Sequence, residues 1–92
     1  MISKQQTIKA LTKIPGVGTS IAGDLYNIGI TKISDLKGMD PEVLYDISNA
    51  YAGTKQDICL LYVFRLAVYF AETPIEEHEI EKLKWWNWKD KK

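Results

Sequence analysis

A proline and two glycines within four residues, Pro15-Gly16-Val17-Gly18, constrain this 92-residue chain more than any other stretch. Pro15 disfavours helix at Ile14, so a helix arriving from the N-terminus has to stop there. Gly16 and Gly18 reach backbone angles closed to other residues and carry no Cβ, so a second backbone can come close. Val17 between them can turn into the core and pin the bend. The apolar spacing on both sides is helical. Ser3 and Gln6 form a capping box that opens a helix with Ile8 and Leu11 on one face. Ile21, Leu25 and Ile28 recur at i, i+4, i+7 in a second helix that Gly29 ends. The amides near Gly16, Gly18 and Thr19 then face outward at the start of that second helix, where its dipole favours an anion.

Helix signals continue to the C-terminus. Ser34 to Lys37 make one short turn closed by Gly38, and Asp40-Pro41-Glu42 is a strong helix start. Val43, Leu44, Ile47 and Tyr51 form an apolar stripe until Gly53. Thr54 with Asp57 opens the longest helix, which runs to about Ala71 and is apolar nearly all round, so it belongs at the centre. Beyond Pro74, Ile75, Ile80 and Leu83 predict one more helix, with Glu79–Lys82 and Glu81–Lys84 at i, i+3. The expected fold is all-α, a compact bundle of five to six helices in a single domain: 1–30 a first hairpin unit, 31–53 a second, 54–72 the central helix, 73–92 an acidic helix and a Trp/Lys tail. The second unit is read from an offset of 22 residues. Ile8, Leu11, Ile14, Gly16, Val17, Ile21 and Leu25 correspond to Ile30, Ile33, Leu36, Gly38, Met39, Val43 and Ile47. Gly18 corresponds to Asp40, whose carboxylate caps its own helix and occupies the place an anion would take.

Composition narrows the function. Hydrophobic residues make up 46% of the chain, enough for a core. A single cysteine, Cys59, excludes an internal disulfide and a cysteine-based zinc site and suits a reducing, cytoplasmic setting. The longest apolar run, 58–71, contains Arg65 and is shorter than the ~20 residues of a membrane span. Twelve basic and twelve acidic residues cancel in sum but not in position: residues 1–38 carry a net +3, 39–81 a net −7 and 82–92 a net +4. A polyanion would favour the N-terminal third or the tail.

The segment 8–22, with Leu11, Ala22 and Leu25 at their matching places, resembles the helix-hairpin-helix motif. The paired units resemble the SAM-like tandem form of that fold, with the second hairpin degenerate. In that family the hairpin amides meet a DNA backbone phosphate, a contact that positions the protein without reading sequence. The resemblance implies DNA contact at Lys13, Pro15, Gly16, Val17, Gly18, Thr19 and Ser20, and no cofactor beyond the monovalent cation that hairpin carbonyls in that family often hold. DNA-binding members often carry Lys or Arg where this chain has Ser20, which brings no charge, so Lys13 and Lys9 are the substitutes and affinity is expected to be weak. The whole chain resembles the small bacterial pathogenicity-locus family, some of whose members are called mitomycin-resistance proteins. That likeness runs through the hairpin, the 29–36 connection, Asp40 to Tyr45, the 59–69 helix and the tail Lys84 to Asp90. It implies an accessory role in DNA repair or maintenance.

Other features have simpler readings. Trp85, Trp86 and Trp88 among lysines could stack on unpaired bases. The structural alternative is closure over the long helix, with Trp86 the one left exposed. Cys59 is expected as a buried small hydrophobe and His78 as a solvated residue too isolated to bind metal. No pairing of catalytic residues in a deep cleft is legible, so an enzyme is not expected. The two functions left are weak, non-sequence-specific DNA binding by the first hairpin and a protein-interaction scaffold with no nucleic-acid contact.

Overall fold

The computed structural model describes residues 3–89; Met1 and Ile2 lie outside it, as do Asp90, Lys91 and Lys92, and with them part of the basic tail. Ser3 accepts the Gln6 amide at 3.2 Å and Gln6 reaches back to the Ser3 amide at 3.0 Å, so the expected capping box opens α1 (Lys4–Leu11). The chain turns over residues 12–18 into α2 (Thr19–Asn27). A 3-10 turn at Ile33–Leu36 leads to α3 (Pro41–Ala52), and α4 (Cys59–Glu72) follows. Three further 3-10 turns, Ile75–Glu77, Ile80–Leu83 and Trp85–Trp88, complete the described chain. No strand occurs among the described residues.

α4 is the centre, as its composition requires. Leu60, Leu61, Val63, Phe64, Leu66, Ala67, Val68 and Ala71 are all buried along it. α3, the 33–36 turn and the C-terminal turns pack around it, and the Gly38 amide donates to the Glu72 carboxylate at 2.6 Å. α1 packs on α2, with Leu11, Ile14, Val17, Ala22 and Leu25 in the shared core. No helix is long and apolar enough to cross a membrane among the described residues.

Four expectations need correction. The helix expected beyond Pro74 is a series of one-turn 3-10 segments, leaving four α-helices among the described residues where five to six helices were expected. Its two i, i+3 pairs do form, Lys82–Glu79 at 3.1 Å and Lys84–Glu81 at 3.0 Å, because that spacing stacks side chains in a 3-10 turn as well. The tail is fastened by polar ties: the Trp88 indole donates to the Lys82 carbonyl at 2.7 Å and Arg65 to the Trp88 carbonyl at 2.7 Å.

The helix start expected at Thr54 lies instead at Cys59, whose amide bonds Asp57 at 2.8 Å. Residues 54–57 are held off α4 by Gln56, which bonds Ser48 and Asn49 of α3. That latch also rotates α3. Its buried residues are Leu44, Tyr45 and Ser48, while Val43, Ile47 and Tyr51 are exposed. The 22-residue correspondence therefore fails at its end: Leu25 is 0% exposed and its counterpart Ile47 44%.

His78 is half-buried, not solvated. Its Nε2 lies 2.8 Å from the Thr73 carbonyl and 3.1 Å from that of Phe70, closing the end of α4.

Asp40 caps α3 as expected, accepting the Glu42 amide at 2.9 Å. Asp40→Ala is expected to cost about 1 kcal/mol, read as a lowered midpoint in thermal unfolding followed by circular dichroism. An unchanged midpoint would contradict the cap's contribution.

Candidate nucleic-acid interface

The 12–18 turn is built by its apolar residues and left open by its polar ones. Ile14 and Val17 are buried, and the Val17 amide donates to the Ile14 carbonyl at 3.0 Å, which closes the bend. Gly16 has φ +83°, in the left-handed region that glycine supplies at least cost. A Cβ there would meet Leu66 and Trp85, each at 3.5 Å, so α4 and the tail support one side of the bend. Gly18 differs. Its backbone is extended at φ −86°, ψ −175°, which any residue can adopt, and a Cβ on it would meet nothing within 4 Å. The expectation that Gly18 supplies unusual dihedrals is therefore corrected: its lack of a side chain serves neither the turn nor the packing.

Gly18 is the N-cap of α2 and offers no side-chain cap. Within the described residues the amides of Gly18, Thr19 and Ser20 donate to no backbone or side-chain acceptor, and all three residues are exposed. The corresponding end of α3 is already closed by the Asp40 carboxylate. The two helix starts thus differ in whether an anion has been built in.

All seven expected site residues fall within this one stretch, in different roles. Lys13 is exposed at its upstream edge, Pro15 is half-buried, Gly16 is exposed but backed by Trp85, and Val17 is buried and structural. Gly18, Thr19 and Ser20 form the open edge.

The flanks were not legible beforehand. A cleft of about 440 Å³ on one side is lined by Gly16, Ile21, Asp24, Asp57, Cys59 and Trp85, among others. Partial burial pushes the Asp24 carboxyl above its usual value. Cys59 is half-exposed on this cleft, not buried as expected, and its hydrogen bond with Asp57 raises the thiol's pKa, which disfavours a nucleophilic thiolate. A second groove of similar volume is lined by Lys9, Lys13 and Lys32, together with Gln6, Thr7, Ala10 and Thr31. Lys32 lies 19 residues from Lys13 and entered the sequence reading only through regional charge.

Among the tryptophans, Trp85 packs on the core and Trp88 against Tyr69, ring centroids 5.5 Å apart, while Trp86 is 51% exposed. A three-ring stacking platform is not formed. No group of three or more His, Cys, Asp or Glu suited to a metal ion occurs among the described residues.

A model of the pathogenicity-locus family matches residues 4–92. A mitomycin resistance protein, McrB, from Streptomyces lavendulae is 42% identical over 62 residues, which is 67% of this chain; the chain spans 59% of that relative's length. No solved structure gives a significant match.

Proposed function

The chain belongs to the pathogenicity-locus family, and from the geometry of its α1–α2 turn we propose that it binds DNA without sequence specificity, as a helix-hairpin-helix protein gripping a backbone phosphate. The observation that carries the proposal is the row of unpartnered, exposed amides at Gly18, Thr19 and Ser20 on the start of α2. Such an edge presents donors and a positive dipole end to an anion. The Ser20 hydroxyl adds a donor without charge. In this reading residues 31–53 are the degenerate second hairpin of a SAM-like tandem fold, closed to phosphate by Asp40. A monovalent cation at the hairpin carbonyls fits the same reading, since the Ile14 carbonyl oxygen accepts one amide and keeps a second lone pair. The process is an accessory role in DNA repair or maintenance, carried over from the resemblance, and the chain performs no reaction of its own.

The contact reads no base edges, so fluorescence anisotropy should give equal affinities for two duplexes of unrelated sequence. Log affinity should fall against log salt with a slope of about −2 to −3, as two or three phosphates are neutralised. Absence of binding at low salt would overturn the reading, as would strong discrimination between the sequences.

One observation favours the alternative, a protein-interaction module: Val43, Ile47 and Tyr51 stand exposed at i, i+4, i+8 along α3. Such a stripe suits a partner's apolar surface.

A further inference from the structure

We infer that the groove between α1 and the 31–32 connector is a second phosphate-binding track, along which the DNA strand held at the α1–α2 turn continues from Lys13 to Lys32. The inference rests on the DNA-binding reading and adds residues that the turn does not contain.

Three features carry it. Lys9, Lys13 and Lys32 line one groove of about 440 Å³, and none of their ammonium groups forms an ion pair or hydrogen bond among the described residues. Three like charges along one groove repel one another, and a polyanion relieves that repulsion while releasing its own counterions. The acid electrostatically coupled to Lys32 is Asp35, and it is already engaged: its carboxylate accepts both the amide and the hydroxyl of Thr31 at 3.0 Å each. Asp35 thereby fixes the connector that carries Lys32, and its single negative charge offsets only part of the three lysines, so the groove keeps a net positive charge.

The third feature is direction. Lys13 lies at the turn and also lines this groove, so a phosphate on the Gly18–Ser20 edge and one in the groove can belong to one strand. The cleft that Gly16 itself lines carries Asp24 and Asp57, which repel a phosphate. Between an acidic flank and a basic one, the strand takes the basic side. Gln6 on α1 offers no charge there, but its amide is tied to the Ser3 cap, so this wall is preformed.

The test compares salt titrations of duplex binding for the wild type, Lys32→Gln, Lys55→Gln and Gly18→Ala, with circular dichroism confirming the fold of each. Lys32 and Lys55 are both exposed, so neither change should disturb packing. Lys32→Gln should reduce the magnitude of the log–log slope by about 0.9 and weaken binding several-fold at low salt, while Lys55→Gln changes neither. An unchanged slope in Lys32→Gln, with binding still lost in Gly18→Ala, would overturn the track and leave the turn's role standing. A reduced slope in Lys32→Gln with Gly18→Ala binding normally would uphold the groove as a strand site and overturn the turn. Failure of the wild type to bind would overturn both.

Discussion

Gly18→Ala is expected to weaken duplex binding at least about tenfold while leaving thermal stability almost unchanged. Tenfold corresponds to ~1.4 kcal/mol, the lower end of what a hydrogen bond to a charged group contributes. The fold tolerates the methyl because Gly18 has an ordinary extended backbone and open space where a Cβ would project. Two small effects on stability oppose each other. Alanine restricts the unfolded chain and stabilises by ~0.4–1 kcal/mol, but it is a poorer N-cap than glycine. What the methyl does change is access, since by covalent geometry it stands beside the Gly18 and Thr19 amides and projects into the open space in front of that edge. Gly16→Ala makes the informative contrast. At φ +83° an alanine costs about 1–2 kcal/mol whatever the ligand, so that variant reports on stability. A Gly18→Ala protein that binds DNA as the wild type does would mean these amides are not the contact.

The second large effect is on the fold itself. Phe64→Ala is expected to destabilise by about 3–5 kcal/mol, a substantial part of the ~5–14 kcal/mol that a chain of this size possesses. Phe64 is 0% exposed in the middle of α4, among the largest fully buried side chains, so its removal leaves a cavity that several elements share. Chemical denaturation followed by circular dichroism should show the loss as a lowered midpoint with a similar slope. A change under about 1 kcal/mol would mean that α4 is not the centre of the core. The effect should reach the turn as well, because Leu66, two residues along α4, lies 3.5 Å from where a Cβ on Gly16 would stand.

How much was legible in the sequence depended on how local the determining interactions are. The Ser3–Gln6 box, the Asp40 cap and the bend at Gly16 are set by residues within four positions of one another, and each forms as read. The central place of α4 was equally legible, since a helix apolar all round has nowhere else to go. The exposed side of α3 was not. Val43, Leu44, Tyr45 and Ile47 allow two rotations, and the choice falls to Tyr45 and Ser48 meeting Gln56, eight to eleven residues away. The C-terminal segment misled for a related reason. Its apolar and ion-pair spacings suit α and 3-10 geometry alike, and the ties from Arg65 and Trp88 select a winding path over a straight helix. At the site, the glycine bend was visible, but the difference between Gly16 and Gly18 was not, because only the neighbours of each Cβ position separate them. Lys32 reaches its groove through the packing of the connector on α1, which no short window contains.

The central claim is that three main-chain N–H groups at the start of α2 meet a phosphate. Two-dimensional amide NMR of the uniformly nitrogen-15-labelled chain, titrated with a short duplex at low salt, observes those groups directly. The largest shifts should fall on Gly18, Thr19 and Ser20, with smaller ones along Lys9, Lys13 and Lys32. Shifts confined to the exposed stripe of α3 or to Trp86, with the three amides stationary at saturation, would contradict it.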